Sequence, residues 1–460
     1  MAGVIAVMLA AGKGTRMCSK LPKVLHQVAG KHMAWHVLTA ATCAGVEQTI
    51  VVVGHQAELV RAALGPDCLY VHQENQLGTG HAVLQARTLI PAEADTVLVL
   101  CGDTPLLRPE TISRLISVHR EKQAAATVLT AVLPDPGGYG RVIRGTDSTV
   151  SKIVEAKDAT PEELAVKEIN TGTYCFQKEF LLTALQEITP VNAQGEYYLT
   201  DVIAFADQRG LKVTGLIAED YQEVMGINNR VDLALAARLL RERINRALME
   251  AGVSLLDPAS TFIDAGVTIG MDTVVYPFTI IEGTTVIGSD CTLGPGATIR
   301  DAHIAGGVSV FASVVLESRI GDGCTIGPYA HLRPGTILEA GVKAGNFVEL
   351  KKSTIGAGSK VSHLTYLGDA TLGSQVNVGA GTITCNYDGV HKWPTVIGDK
   401  AFIGSNTNLV APVEVGSEAV IGAGSTITKD VPPGTLGLAR NRQTNIPHWH
   451  LKKKKADQSP

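Results

Sequence analysis

Three groups of residues in this chain have the types and spacing to do chemistry. Leu9-Ala10-Ala11-Gly12-Lys13-Gly14-Thr15-Arg16 leaves a short apolar run as a Gly-rich turn. Its glycines let backbone N–H groups approach phosphate oxygens, and Lys13 and Arg16 add positive charge. It is not a Walker A loop, because no Gly-Lys-Ser/Thr follows a glycine at the required distance. Leu21-Pro22-Lys23 follows and adds a third cation. Cys101-Gly102-Asp103 closes a second apolar run, and Asp103 offers the hard carboxylate that anchors Mg²⁺ beside phosphates. Gln76-Leu77-Gly78-Thr79-Gly80 presents small residues and amides able to read a base edge. Singly, each is also an ordinary tight turn or helix start. Together they describe a site for a nucleotide, its phosphates and a divalent cation.

The third group lies far down the chain. His363-Leu364-Thr365-Tyr366 carries an imidazole able to act as a general base, while Arg333, Lys351 and Lys352 could bind an anion nearby. Glu349 is expected to orient that imidazole, and Asn386-Tyr387 lie in an irregular polar segment. A lone histidine also serves as a packing residue, and each of these charges alone could belong to a solvated face. Two other histidine pairs are set aside. His32 and His36 stand four apart without the glutamate of an H-E-x-x-H motif, and His448-Trp449-His450 has no further ligands near it.

The elements that must position these residues change type along the chain. Up to 227, strand-like runs at Ile5–Leu9, Ile50–Val53, Leu69–His72 and Val97–Leu100 alternate with amphipathic runs at His32–Ala44, Gln56–Leu64, Thr79–Leu89 and Glu110–Lys122. This predicts a Rossmann-like α/β domain, its mostly parallel sheet covered by helices and its ligands beyond the carboxyl ends of the strands. Residues 228–250 read as a linker helix capped by Asn228 or Asn229. From 251 to 445, aliphatic–Gly pairs recur, among them Ile269-Gly270, Ile287-Gly288, Ile320-Gly321, Ile326-Gly327, Ile355-Gly356, Ile397-Gly398, Ile403-Gly404 and Val415-Gly416. A six-residue period predicts a left-handed parallel β-helix of hexapeptide repeats, three hexads to a triangular coil. His303–Val308 disturbs the phase, and Thr384–Pro394 leaves it altogether, as a binding loop would. Residues 446–460, with Lys452–Lys455, read as a mobile basic tail.

Composition supports these readings. In 460 residues, 45% are hydrophobic but only 5% aromatic, and there are 48 glycines, which suits thin aliphatic layers and tight turns. The net charge of −4 provides no field for nucleic acid or anionic membrane, so an anionic ligand must be held by local cations. Eight scattered cysteines without a C-x-x-C pair read as reduced thiols. No apolar run is long enough to span a membrane, and Val4–Ala11 lacks the basic start of a signal peptide. The chain reads as cytoplasmic.

The run from Leu9 to Met17 with Leu21-Pro22-Lys23-Val24 resembles the sugar-1-phosphate nucleotidyltransferase family across essentially the whole N-terminal domain. Gln76–Gly80, Gly138–Arg141, Ile153–Glu155, Glu168–Gly172, Glu196–Asp201 and Gly226–Arg230 narrow this to uridyltransferases of N-acetylglucosamine-1-phosphate. His331–Gly335, Gly345–Glu349, His363–Gly368 and Asn377–Asp388 resemble glucosamine-1-phosphate acetyltransferase domains. The whole chain is thus similar to the bifunctional uridyltransferase–acetyltransferase family of bacterial cell-envelope precursor synthesis.

That resemblance implies roles. Leu9, Ala10, Ala11, Gly12, Lys23, Gln73, Gly78 and Thr79 would hold UTP, with Arg16 and Lys23 neutralising charge during uridylyl transfer. Gly138, Glu155 and Asn170 would hold the amino sugar, and Asp103 and Asn228 the Mg²⁺. His363 would be the base of acetyl transfer; Arg333, Lys351, Tyr366, Asn377, Asn386 and Tyr387 would hold glucosamine-1-phosphate. Ala380, Ser405, Ala423 and Arg440 would contact acetyl-CoA. Ala439 stands where relatives commonly have serine, and Arg442 could share the role of Arg440. The chain is expected to be a homotrimer, with small-molecule substrates and no nucleic-acid or membrane partner. Two rival readings are a nucleotidyltransferase whose β-helix only oligomerises and a non-enzymatic scaffold.

Overall fold

Val4 to Met8 are buried on both sides of their strand, as in a sheet covered on both faces. The computed structural model describes residues 3–147 and 149–450; Lys452–Lys455 and the rest of 451–460 lie outside the described residues. Strand Gly3–Ala10 pairs in parallel with Gln48–Val53 on one side and Ala94–Cys101 on the other. The main path of this sheet runs Val213–Ile217, Ala126–Val132, Glu168–Gln177, Ala94–Cys101, Gly3–Ala10, Gln48–Val53, Leu69–His72. Glu168–Gln177 is antiparallel to both of its neighbours. Alternate side chains of a strand enter opposite layers. Val7 joins Ile50, Val99 and Phe176 on one face, while Met8 joins Val51, Leu98 and Leu115 on the other.

The covering helices include Met33–Cys43, Ala57–Leu64, Thr79–Gln85 and Pro109–Lys122, close to their sequence-predicted bounds. The third tightens into a 3-10 turn over Ala86–Leu89. Parallel pairing brings several strand ends to one edge of the sheet. Gly102 N–H donates to Leu9 O at 3.0 Å and Gln73 N–H to Val53 O at 2.8 Å, so the Gly-rich turn, Gln73 and Asp103 share that edge.

Helix Arg230–Glu250 is capped by Asn229, whose Oδ1 accepts from Val231 N at 2.8 Å and Asp232 N at 2.9 Å. Asp232 in turn accepts from Asn228 N at 2.9 Å, so the cap also sets the backbone before the helix. Compact units of Met1–Arg243 and Ile244–Pro460 divide the chain within this helix. Ala236 and Leu239 bury with Val28, Met33 and Leu106, whereas Ile244 and Leu248 pack on the aliphatic core of the second unit.

That second core is a single column of small and branched aliphatics. Ile269 pairs with Ile287, Ile287 with Ile304, Ile304 with Ile320 and Ile320 with Leu338, in one continuous parallel wall. Where a glycine follows the aliphatic residue, as after Ile269, Ile287 and Ile320, it answers a steric demand. A Cβ on Gly288 would sit 2.8 Å from the Ala305 carbonyl carbon, and one on Gly404 would sit 2.5 Å from Ala423 N. Any larger residue would force neighbouring coils apart and break the ladder between them.

The irregularities noted in the sequence are changes of coil length. The coil from Ile287 to Ile304 is one residue shorter than that from Ile269 to Ile287. The coil from Leu372 to Ile397 is longer because it contains the polar excursion. There Tyr387 bridges Lys392, Trp393 N donates to Asn386 O at 2.8 Å, and Trp393 Nε1 donates to Asp388 Oδ2 at 2.7 Å. The excursion is a small hairpin closed on itself.

Candidate active sites

In the first unit, the Gly-rich turn lines a cavity of about 410 Å³ with Arg16, Lys23, Gln73, Gln76, Gly78, Thr79, Asp103 and Glu196. Leu9, Ala10, Ala11 and Gly12 are all in its wall. Two glycines shape it. Gly14 has φ 61°, and a Cβ there would fall 2.5 Å from Lys23 Cβ, so its absence lets Lys23 come up beside the turn. Gly78 has φ 114°, and a Cβ there would meet Tyr197 O at 2.5 Å.

Lys23 Nζ is the centre of this site. It donates to the Asp103 carboxylate and, at 2.9 Å, to Asn228 Oδ1. Arg16 Nη2 donates to the same Asn228 oxygen at 2.9 Å. Ile227 N–H donates to Asp103 O at 3.0 Å, which ties the two segments together. Asp103 and Asn228 therefore turn two hard oxygens toward one positive charge, a donor set that fits Mg²⁺. Among the described residues no three His, Cys, Asp or Glu side chains gather around one point, so an ion here would take its remaining ligands from water and substrate. Burial, with the Asp103 charge adding and Lys23 opposing, pushes the Cys101 thiol up to about 12, which favours the protonated thiol.

Gly138, Glu155 and Asn170 are not in the wall of that cavity: Asn170 is on strand Glu168–Gln177, Gly138 lies in the turn before strand Arg141–Arg144, and Glu155 directly follows strand Val150–Val154. Arg141 pairs with both Ile169 and Val154, and Asn170 N donates to Gly140 O at 2.8 Å. A Cβ on Gly140 would come 3.4 Å from Glu155 Oε1. Burial raises the Glu155 carboxyl above its ordinary value, and the Asp158 and Asp201 charges add to the shift. Sequence reasoning gave Tyr139 no role, yet its hydroxyl accepts from Gly226 N at 3.1 Å and steadies the approach to Asn228. His32 and His36 donate to the carbonyls of Leu25 and Val28, at 2.6 and 2.8 Å.

In the second unit, strands Lys343–Lys351 and Lys360–Gly368 stack through a continuous register: Asn346 on His363, Val348 on Thr365, Glu349 on Tyr366. This corrects the expectation for Glu349. His363 Nδ1 meets Asn346 Oδ1 at 2.6 Å, while Glu349 accepts from Arg333 Nη1 at 2.8 Å. The reason is geometric: a side chain in a β-helix meets the residue one coil away, and that residue beneath His363 is Asn346.

Of the sugar-binding candidates, Tyr366 and Asn386 come together at Gly368. A Cβ on Gly368 would lie 2.3 Å from Tyr366 Oη and 2.7 Å from Asn386 Nδ2, so this glycine is what lets both side chains close over the backbone. Asn386 Nδ2 donates to Asp369 Oδ2 at 2.6 Å. Lys351 has its pKa lowered, first by Lys392 from the excursion hairpin, with slight burial and Arg333 adding and Asp369 opposing. Lys392 had no assigned role in the sequence; a basic residue in a polar excursion was the available signal. Tyr387 stays exposed, its hydroxyl donating to Gly389 O at 2.6 Å, and Asn377 pairs with Lys360 and Phe402.

Ala380, Ser405 and Ala423 climb one edge of the prism above His363. Gly381 N donates to Leu364 O, Asn406 N to Ala380 O and Gly424 N to Ser405 O. Arg440 Nη1 closes the column by donating to Ala423 O at 3.0 Å. Small side chains leave this edge open along several coils.

Comparison with known proteins agrees with both halves. A MobA-like NTP transferase domain matches residues 6–169, and the bacterial transferase hexapeptide, six repeats, matches 266–301 and 394–429. "Bifunctional protein GlmU" of Heliobacterium modesticaldum is 57% identical over 437 residues, covering 95% of each chain. The protein of that name from an Exiguobacterium species is 53% identical over 440 residues, 96% of this chain and 98% of its own. A solved UDP-glucose pyrophosphorylase bound to UDP-glucose overlays 52% of this chain and 99% of its own, at 18% identity and a TM-score of 0.45.

Proposed function

The chain belongs to the family of bifunctional GlmU proteins, and on that premise we propose how its residues divide the work of two successive transfers. It is a bifunctional transferase. The hexapeptide unit moves acetyl from acetyl-CoA to glucosamine-1-phosphate, and the nucleotidyltransferase unit then joins N-acetylglucosamine-1-phosphate to the uridylyl group of UTP. The observation that carries this reading is the pairing on one chain of a cavity lined by the Gly-rich turn, Arg16, Lys23 and Asp103 with an exposed histidine held by Asn346 on the hexapeptide coils. Incubation with UTP, Mg²⁺, glucosamine-1-phosphate and acetyl-CoA, followed by mass analysis, tests it. UDP-N-acetylglucosamine is the expected product; uridylyl transfer without acetyl-CoA consumption would leave the β-helix a purely structural element.

In acetyl transfer, Arg333, Lys351 and Lys392 hold the substrate phosphate, and Tyr366, Asn377, Asn386 and Tyr387 hold the sugar. The amine nitrogen attacks the thioester carbonyl, forming the C–N bond, and its proton passes to His363 Nε2. The C–S bond breaks, and the leaving thiolate takes that proton from Nε2. Ala380, Ser405 and Ala423 leave room for the cofactor along the edge, and Arg440 binds its phosphate.

In uridylyl transfer, Leu9–Gly12, Gln73, Gly78 and Thr79 bind the nucleotide, while Gly138, Glu155 and Asn170 bind the sugar. A sugar-phosphate oxygen attacks the α-phosphorus in line; one P–O bond forms, another breaks, and pyrophosphate leaves. Asp103 and Asn228 would hold Mg²⁺, which supplies charge neutralisation on the triphosphate. Arg16 and Lys23 stabilise the negative charge that develops on the same oxygens.

Glu155 gives this reading a pH signature. A carboxyl whose value is raised holds its proton more tightly in the folded chain than in the unfolded one. Its contribution to stability is therefore full below the ordinary carboxylate range and lost as pH rises through the raised value. Glu155→Gln is expected to melt higher than the wild type at neutral pH, with the gap closing in acid. As a sugar ligand, Glu155 should also be missed in binding: the KM for N-acetylglucosamine-1-phosphate should rise by roughly tenfold to a hundredfold in the variant. An unchanged KM would remove Glu155 from the sugar site.

We propose further that the protein is a homotrimer. Tyr329 and Phe347 stack at 5.4 Å with 61% and 55% of their surfaces exposed, and Leu364, 60% exposed, continues the apolar edge beside His363. Such an edge suits a second copy of the chain. Light scattering should give about three times the 48.4 kDa chain mass; a monomer with full acetyltransferase activity would refute it. We place the enzyme in the cytoplasm with its small-molecule substrates. No helix of the described residues is long and apolar enough to cross a membrane.

A further inference from the structure

We infer that Asn346 is the positioning residue that fixes the tautomer of His363. The inference rests on the reading of His363 as the base. An amide oxygen can only accept, so the 2.6 Å contact between Asn346 Oδ1 and His363 Nδ1 requires the proton to be on Nδ1. The lone pair is then on Nε2, the nitrogen that must take the amine proton. With the opposite tautomer, Nε2 would carry a hydrogen and could not act as base.

The backbone builds this contact. Asn346 and His363 are register partners on the two long strands. A Cβ on Gly345 would fall 2.0 Å from Ser362 O, so a glycine beside Asn346 is what allows the two coils to run so close. Phe347 and Leu364, the next residue on each coil, turn together in left-handed conformations, with φ 57° and 47°. The two side chains therefore leave the same corner side by side.

Asn346 also does what the neighbouring carboxylate cannot. Glu349 is engaged by Arg333. A carboxylate at position 346 would hold the ring's proton by charge as well as by a hydrogen bond, and would favour the imidazolium. A neutral amide orients the ring without that cost. The titratable groups on the two strands are Lys343, Glu349, Lys351, Lys360 and Tyr366, and the coil above presents Ala380 and Gly381.

The test uses the full-length enzyme and two readouts. Asn346→Ala is expected to lower kcat for acetyl transfer by about tenfold to a hundredfold, as loss of an outer partner does elsewhere, with the KM values for both substrates nearly unchanged. Asn346→Asp keeps an acceptor for Nδ1–H and is expected to recover much of that kcat at high pH. Its acid limb should move up by about one pH unit, because the added charge stabilises the protonated ring. A merely structural asparagine would change melting temperature and leave that limb where it was.

The second readout needs no activity. Histidine-nitrogen NMR of sedimented enzyme, with His363→Ala subtracted to assign the ring, should show the Nδ1–H form in the wild type and its loss in Asn346→Ala. An Nε2–H ring in the wild type, or an Asn346→Asp enzyme with an unmoved acid limb, would overturn the assignment. If instead His363→Ala retained acetyl transfer while the tautomer was as stated, the reading of His363 would fail and the hydrogen bond would stand.

Discussion

Asp103→Ala is expected to lose uridylyl transfer by roughly a thousandfold or more, since the charge stabilisation a metal ligand secures amounts to several kcal/mol. Acetyl transfer should be unaffected, because Asp103 and His363 belong to different compact units. The size of the loss follows from what Asp103 does in the cavity wall. It faces Lys23, which also bonds Asn228, and its backbone carbonyl holds the segment leading to Asn228. Removing the carboxylate takes away the oxygen proposed to hold the metal and leaves the Lys23 ammonium without its ionic partner. Asp103→Asn separates the two effects: it keeps an oxygen of similar shape but not the charge, and should recover little at ordinary Mg²⁺ and more at high Mg²⁺. The measurement is pyrophosphate release against Mg²⁺ concentration for the three enzymes. Normal release with unchanged Mg²⁺ dependence in Asp103→Ala would end the metal assignment.

The second large effect belongs to His363. His363→Ala should cut acetyl-transfer turnover by roughly 10²–10⁴-fold, the usual contribution of a general base. Acetyl-CoA affinity should change little, since Ser405, Ala423 and Arg440 stand on other coils, and uridylyl transfer should be unaffected. Wild-type acetyl transfer should fall as the medium becomes acidic enough to protonate the ring, because only the neutral imidazole accepts a proton. A packing histidine behaves otherwise: its loss lowers melting temperature and oligomer content and leaves the pH profile of the remaining activity intact. His363 is exposed, so its removal opens no core cavity, and a folded variant is expected. Acetyl transfer against pH at matched oligomer content decides between them. Near-normal turnover in such a variant would remove His363 from catalysis.

The sequence alone determined the architecture and named the candidate residues of both sites. A hexad of aliphatic and glycine residues permits few folds, because many of these glycines are demanded by the next coil's backbone, as Gly288 against Ala305 shows. Alternating strands and helices with a Gly-rich turn after the first strand placed the candidate phosphate-binding residues at one sheet edge. The type of each element is a local property, set by periodicity within a short window.

Contacts between coils and between distant segments were decided only by the tertiary structure. Lys23 and Asn228 meet across 205 residues of chain, and nothing in either motif specifies that meeting. Glu349 was the evident carboxylate partner for His363, yet the stacking register put Asn346 there and turned Glu349 to Arg333. Lys392 reaches Lys351 only because the excursion folds back as a hairpin onto the coil. In a β-helix, coil length sets which side chains stack, and that length varies with each insertion or deletion. A period read along the chain identifies the wall on which a residue lies; the backbone hydrogen bonds of the folded coils select its neighbour.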